Sequence, residues 1–227
     1  MKDIISTKSI KDVLNYITSQ KDFILFDIDK TLIVPKEIES FESVIAQKLI
    51  NEGNIDLHTL TSAPEKIFVE LLETQSISVK PVEQETPLVV HEIQKQGNPT
   101  IAITSRFPSL ASYTLEQLHS VDINFAQSQL AHENIILKTN NCYFKDGILF
   151  CGMQNNKSNL LLELLNQSSI KPTKIIYIDD EILHLLSMQK MLISSAITFQ
   201  GIHYTRIPTS PAEKQLKELY LSFIKNN

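Results

Sequence analysis

Two aspartates one residue apart follow a short apolar run near the start of the chain, and carboxylates at this spacing can hold a cation or transfer protons. The run covers residues 23–26 (FILF) and leads into Asp27 and Asp29. Its length and its aromatic and branched side chains are typical of a strand buried on both faces. Because residues i and i+2 of a strand point the same way, both carboxylates would share one small volume and repel each other. A bound cation relieves this repulsion, and oxygen ligands suit Mg²⁺; the alternative is a polar strand end with two solvated acids.

Two later apolar runs repeat this arrangement of a strand that ends in polar side chains. Residues 100–104 (TIAIT) end in a threonine, and residues 174–178 (KIIYI) lead into Asp179 and Asp180. Ligands of α/β proteins bind beyond the carboxyl ends of such strands. The sequence therefore predicts an α/β fold with its site at these strand ends. Helical patterns lie between the predicted strands, over residues 9–20, 87–96, from about 109, and 160–167.

The composition excludes several classes of function. The chain has 227 residues, of which 42% are hydrophobic, so one domain with an insertion or two small domains are expected. The net charge of −5 gives no basic face for a nucleic acid. No apolar run approaches the ~20 residues of a membrane span. The polar residues 1–20 do not resemble a signal peptide, so we expect a cytoplasmic protein.

The two cysteines lie on either side of a predicted turn. Asp146 and Gly147, between aromatic and apolar runs, indicate a two-residue β-hairpin. Counting outward from this turn sets Cys142 opposite Cys151, close enough for contact but not compelled to bond. We expect reduced, packed thiols. None of the six histidines has a partner at a metal-ligand spacing, so each is interpreted as structural.

The string Asp-x-Asp-x-Thr-Leu after a hydrophobic strand resembles the first motif of the haloacid dehalogenase (HAD) superfamily, in its phosphatase branch. The resemblance implies that Asp27 attacks phosphorus and forms an aspartyl-phosphate. It implies that Asp29 is the general acid and base, and that Thr31 helps to bind the substrate. The metal would be held by Asp27 and by the backbone carbonyl of Asp29.

Thr104 matches the second motif of this superfamily, a Ser or Thr at a strand end. Its hydroxyl and the backbone N–H of Ser105 would hold phosphoryl oxygens. Arg106 would fork onto the same phosphate, or it would form a surface salt bridge instead. The stretch Thr104-Ser105-Arg106 is also similar to that of acid phosphatases of the superfamily.

Lys157 matches the third motif, a lysine at the start of a helix, where it would offset the acids and the phosphoryl group. The alternative is a solvated helix cap. Asp179 and Asp180 match the fourth motif, which completes the Mg²⁺ site; Asp179 is the first choice as ligand and Asp180 the second. Glu181 is interpreted as a charge favourable at a helix N-terminus.

The resemblance implies a Rossmann-like parallel sheet (the HAD core) with a small helical cap inserted after the first strand. The core would comprise residues 1–34 and 85–205, with the cap at 35–84. The cap would cover the site and exclude water; the alternative is a helical hairpin with no gating role. Residues 206–227 would form a C-terminal helix that leads into a further region.

Together the motifs resemble a bacterial HAD-like group without an assigned substrate, some of whose relatives are effector protein tyrosine phosphatases. The implied function is Mg²⁺-dependent hydrolysis of phosphomonoesters, with a phosphorylated small molecule or a phosphoprotein as substrate. One alternative is a phosphotransferase, and another is a catalytically weak docking or effector domain. The alternative to a cytoplasmic location is secretion into a host cell without a cleavable signal peptide.

Overall fold

The computed structural model describes residues 3–38, 40–53, 63–70, 77–127, 135–137, 142–153 and 155–225. The chain divides into two compact units. The first comprises Met1–Ile33 and Pro81–Ile207, and the second comprises Val34–Lys80 and Pro208–Asn227.

The first unit is built around an eight-stranded sheet, and the predicted α/β class with a Rossmann-like, mostly parallel sheet is confirmed. The order of the described strands is β1-β10-β9-β2-β5-β8-β7-β6, and only the pairings of β7 are antiparallel. The strands are β1 (Ile4–Thr7), β2 (Phe23–Phe26), β5 (Thr100–Thr104), β6 (Ile135–Ile136), β7 (Tyr143–Lys145), β8 (Ile148–Phe150), β9 (Lys174–Asp179) and β10 (Thr198–Tyr204), while β3 (Ile33–Pro35) pairs with β4 (Val79–Pro81) in a small separate sheet.

Helices connect the strands, and their limits differ in places from the sequence prediction. The helix expected over residues 9–20 is a 3-10 helix at Ile10–Tyr16. The α-helices are α1 (Phe41–Glu52), α2 (residues 63–70), α3 (Thr86–Lys95), α4 (Ala111–His119), α5 (Lys157–Gln167), α6 (Ile182–Leu192) and α7 (Pro211–Lys225). Among the residues described, no helix is both long and apolar enough to cross a membrane.

The core of the first unit depends on the alternation of strand residues between two faces. Phe23 and Leu25 of β2 belong to one apolar cluster with Tyr177 of β9. The same cluster contains Leu161 of α5 and Leu185 of α6, so these two helices cover that face. Each large apolar side chain that the helices bury contributes about 1.5–3 kcal/mol. Alternation then directs Asp27, the residue after β2, and Asp179, the last residue of β9, toward the same helices.

The second unit contains the two helices expected within residues 36–80. Ser40 caps α1 by accepting the backbone N–H of Ser43, and Gly53 ends the helix in a left-handed conformation. The rings of Phe41 and Phe68 are 4.6 Å apart, which joins α1 to α2. α7 also belongs to this unit and contacts α1. Leu71 and Leu72, which the sequence pattern of this predicted cap includes among its apolar helical residues, lie outside the described residues, as do His58 and His132. The role of the cap as a lid stays a prediction.

The hairpin of β7 and β8 has the register that the turn predicts. Lys145 pairs with Ile148, and both turn residues, Asp146 and Gly147, have positive φ. Cys142 and Cys151 come next in this register, and both are buried with reduced thiols. The Sγ of Cys142 donates to the carbonyl oxygen of Cys151 at 3.0 Å.

We predict that Gly147→Ala destabilises the protein far more than Gly97→Ala. Both glycines have positive φ, which costs an alanine about 1–2 kcal/mol. A Cβ at Gly147 would also lie 2.2 Å from the carbonyl oxygen of Phe125, whereas at Gly97 the nearest atom, in Gln20, is 4.0 Å away. The clash should add at least about 1–3 kcal/mol. Urea unfolding measures both variants, and equal losses of free energy would contradict this account of the turn.

Candidate active site

The candidate site lies at the carboxyl end of the sheet, between β2 and β9. From β2 the chain proceeds outward to β5 and β8, and it returns to β9 and β10 on the other side of β2. The order of strands therefore reverses between β2 and β9, which creates a crevice where α/β proteins bind ligands. Phe26 pairs with Ile178 in this parallel register, so Asp27 and Asp179 follow side by side.

Asp27 is buried at this edge, with 5% of its surface exposed. Its backbone N–H donates to the carbonyl oxygen of Ile178 at 2.9 Å. Its Oδ1 accepts from the Lys157 ammonium at 2.5 Å, and its Oδ2 accepts from the hydroxyl of Thr31 at 3.3 Å. Burial raises the pKa of Asp27 to about 8; the charge of Lys157 opposes the shift, and the neighbouring Asp179 adds to it.

Asp179 is fully buried and accepts hydrogen bonds on both of its oxygens. The hydroxyl of Tyr177 and the Lys157 ammonium, at 3.0 Å, bond to Oδ2, and the backbone N–H of Glu181 bonds to Oδ1 at 2.7 Å. His184 Nδ1 lies 3.0 and 3.1 Å from the two oxygens. Burial opposes ionisation of this carboxyl, but His184 and Lys157 hold its pKa well below the usual range.

Lys157 is the first residue of α5, and its buried ammonium joins the two carboxylates. The helix begins there because the Asn156 side chain accepts the backbone N–H groups of Ser158 and Asn159, which places the start earlier than the predicted Leu160. Burial alone would lower the pKa of Lys157, yet Asp179 and Asp27 raise it above the ordinary value. The interpretation as a solvated cap is wrong, because this side chain is only 3% exposed.

Asp180 completes a group of three acids that could hold a metal ion. One carboxylate oxygen from each of Asp27, Asp179 and Asp180 lies within 4.8 Å of the other two. Lys30 Nζ lies 3.5 Å from Asp180, and both side chains are largely buried. A site whose donors are carboxylate oxygens suits a hard cation such as Mg²⁺.

Asp29 does not join this group through its carboxylate, among the residues described. Arg106 Nη2 and Nε donate to its two oxygens at 2.7 and 2.8 Å, which is a bidentate ion pair. The alternative of a surface salt bridge for Arg106 is wrong, because this residue is only 2% exposed. The metal role assigned to the backbone carbonyl of Asp29 stays a prediction.

The predicted phosphate-binding residues lie beside Arg106 at the end of β5. Thr104 is buried, and its hydroxyl accepts the backbone N–H of Arg106 at 3.0 Å. Ser105 is half-buried between them. Their contacts with a phosphate, and that of Thr31, stay predictions.

Three residues of the site were missed by sequence reasoning. Lys30 lies inside the first motif and has a left-handed backbone with φ 60°, a strained conformation that is concentrated at functional sites. Its place directly after Asp29 in the motif was a usable signal. Tyr177 resembles any other residue of a buried strand. His184 was interpreted as structural, because a contact with Asp179 follows only from the angle between β9 and α6.

Comparison with known proteins gives relatives that align with most of this chain. "Putative outer membrane protein" of Chlamydia trachomatis serovar D is 28% identical over 206 residues, which cover 89% of this chain and 77% of that protein. A protein of the same description from Chlamydia muridarum is 26% identical and covers 97% of this chain and 81% of its own. The HAD domain of the effector Lem4 from Legionella pneumophila, an inactive mutant, aligns with 90% of this chain and 97% of its own, at 11% identity and a TM-score of 0.45. That structural likeness is too distant to support an inference.

A family model agrees with the sequence relatives in covering nearly the whole chain. It matches residues 6–225, a range that includes each acid and each lysine of the site. The chain belongs to the family described as "Protein of unknown function (DUF2608)".

Proposed function

We propose that this protein is a Mg²⁺-dependent phosphomonoester hydrolase of the HAD type, with Asp27 as its nucleophile. One observation carries the proposal: the buried ammonium of Lys157 joins Asp27 to Asp179, and Asp180 brings a third carboxylate within 4.8 Å. A carboxylate that only anchored a strand end would need no such set of charges around it. The order of the four motifs along the sequence supports the same interpretation.

The first chemical step uses Asp27 and Asp29. An oxygen of Asp27 forms a bond to phosphorus while the bond from phosphorus to the ester oxygen breaks. The ester oxygen leaves with a proton from Asp29, and the phosphoryl group stays on Asp27. Thr31, bonded to the other oxygen of Asp27, limits the rotation of the nucleophile.

The second step restores both acids. Asp29 takes a proton from a water molecule, whose oxygen bonds to phosphorus as the bond to Asp27 breaks. Inorganic phosphate leaves, Asp27 is again a carboxylate, and Asp29 again carries a proton, now taken from the water. Each turnover therefore converts one phosphomonoester and one water molecule into an alcohol and inorganic phosphate.

Charge compensation accounts for the remaining residues. Asp27, Asp179 and Asp180 would hold Mg²⁺, which supplies positive charge to the phosphoryl oxygens. Lys157 offsets the negative charge on Asp27 and on the group attached to it. Thr104 and the backbone N–H of Ser105 are proposed to orient the phosphoryl oxygens.

The proposed substrate class is broad, a phosphorylated small molecule or a phosphoprotein. The first panel of substrates should contain phosphotyrosine peptides, because the motif resemblance implies them. It should also contain sugar phosphates, nucleotides and aryl phosphates. Inorganic phosphate release identifies a hydrolase, whereas transfer to an added alcohol identifies a phosphotransferase. The absence of turnover across the panel with Mg²⁺ would favour a docking domain.

Cell fractionation should accompany the assay, because the chlamydial relatives are named putative outer membrane proteins.

We predict that Asp27→Asn abolishes turnover of an aryl phosphate and leaves the fold intact. The amide is nearly isosteric but cannot act as the nucleophile. Asp29→Asn should slow turnover by about 10²–10⁴-fold through loss of acid and base catalysis. Release of phosphate measures each rate, and circular dichroism measures the fold.

Asp22→Asn is the matched control, because Asp22 is an equally buried aspartate at the opposite end of β2 that accepts from Thr18 and Ser19. It should keep its turnover per folded molecule. The nucleophile assignment would be lost if Asp27→Asn retained activity, or if Asp22→Asn lost as much.

We predict that Mg²⁺ binds more tightly as the pH rises toward about 8. In the metal-free protein Asp27 has a raised pKa, so below about 8 it carries a proton that the cation must displace. Affinity should therefore rise by up to about tenfold per pH unit and level off above pH 8. Calorimetry in two buffers of different ionisation enthalpy counts the released protons. Asp27→Asn should bind weakly and without this slope, and a wild-type affinity that is constant from pH 6 to 8 would contradict the prediction.

A further inference from the structure

The most extensive side-chain network outside the three carboxylates is that of Arg106. Its guanidinium makes the bidentate pair with Asp29, and its Nη1 donates to Thr114 at 3.1 Å and to Gln117 at 2.7 Å. Four N–H groups are thus directed at protein oxygens. Burying a guanidinium without such partners would cost several kcal/mol. The position of this side chain is therefore strongly specified by its surroundings.

The backbone of Arg106 is also fixed, and by two different strands. Its N–H donates to the hydroxyl of Thr104, the last residue of β5, at 3.0 Å. Its carbonyl oxygen accepts the N–H of Gly152, just beyond β8, at 3.0 Å. Thr114, one of its partners on α4, is also held in place, because its hydroxyl donates to the carbonyl oxygen of Leu110. Sheet and helix together hold the guanidinium in one place.

Fewer of the contacts described above fix the position of Asp29 than fix that of Arg106. It follows the end of β2 in a turn where Lys30 has positive φ and donates its N–H to Ile33 at 2.9 Å. Its side chain is 14% exposed, so it is the accessible member of a pair whose other member is 1% exposed. A carboxylate has about four lone-pair sites, and the fork uses one on each oxygen. A remaining lone pair can therefore hold the proton that Asp29 donates to the leaving group, and can later accept a proton from water.

We propose that Arg106 is the positioning residue for Asp29 and not a ligand of the phosphoryl group. This inference rests on the proposed function. A guanidinium that reached a phosphate would have to give up the fork, whereas in place it orients the carboxylate that transfers protons. Misplacement of such a group by 1 Å can cost about 10²-fold in rate. The fork is specific to arginine, because a lysine ammonium is a point charge that cannot bond both oxygens in this geometry.

A double-mutant cycle between Arg106 and Asp29 tests the assignment. We would measure kcat and KM for Arg106→Ala, Arg106→Lys, Asp29→Asn and the double variant that combines Arg106→Ala with Asp29→Asn, on aryl phosphates of graded leaving-group acidity. Arg106→Ala and Arg106→Lys should each lower kcat by about 10²-fold with little change in KM. The loss should be largest for the least acidic leaving group, which depends most on proton donation. In the Asp29→Asn background, loss of Arg106 should have no further effect.

Arg206→Ala is the matched control, because Arg206 pairs with Glu83 at 3.4 Å and is half exposed. It should leave kcat unchanged. Arg106→Lys carries the test if Arg106→Ala does not fold, as shown by circular dichroism.

The assignment is overturned by losses that add in the double variant, by a rise in KM at constant kcat, or by wild-type rates in Arg106→Lys. The first two results would point to contact with the phosphoryl group, and the third to a structural ion pair. Absence of turnover in the wild type would overturn the proposed function together with this inference. Turnover with additive losses would overturn the inference alone.

Discussion

The ammonium of Lys157, held between the carboxylates of Asp27 and Asp179, is the interaction on which the rest of the site depends. Two acids side by side at a buried strand end would repel each other and resist ionisation. The lysine offsets part of that penalty, and Lys30 and Arg106 pair in a similar way with Asp180 and Asp29. Each of these four acids therefore contacts a lysine or arginine side chain, and Lys157 is shared by two of them. The oxygens of Asp27, Asp179 and Asp180 in this site could hold a divalent cation.

The order of strands explains why residues far apart in sequence meet at this point. β2 and β9 are neighbours because the chain winds outward in one direction and then returns on the other side. Their parallel register sets Asp27 beside Asp179, and strand alternation directs both toward the face covered by α5 and α6. The capped N-terminus of α5 then brings Lys157 to them. Hydrophobic patterning thus determines an electrostatic arrangement, although none of the apolar residues takes part in the chemistry.

Much of this arrangement follows from local pattern. Apolar runs that end in polar side chains predicted the strands before Asp27 and Asp179, and the Asp146-Gly147 turn predicted the hairpin register. Such features depend only on residues that are close together along the chain, so they can be predicted from a single sequence. The α5 start was displaced by a side-chain cap, because Asn156 competes for backbone N–H groups that a hydrophobic pattern does not reveal.

Contacts between distant side chains could not be predicted in the same way. Arg106 was expected to face a phosphate or the surface, yet it forks onto a residue 77 positions away in sequence. His184 on α6 contacts Asp179 on β9, and Lys30, whose backbone is left-handed, contacts Asp180. Each outcome depends on the three-dimensional distance between elements, which residue types and spacing do not specify. The roles of these residues in catalysis remain proposals.

The central claim is that the carboxylate of Asp27, beside Lys157, becomes covalently phosphorylated during turnover. Its most direct test is a rapid acid quench of the Asp29→Asn variant with Mg²⁺ and an aryl phosphate, followed by peptide mapping by mass spectrometry. The account predicts one added phosphoryl group on the peptide that contains Asp27, absent when Asp27 is also replaced by asparagine. Phosphorylation of any other residue, or hydrolysis by an enzyme that never carries the phosphoryl group, would contradict it.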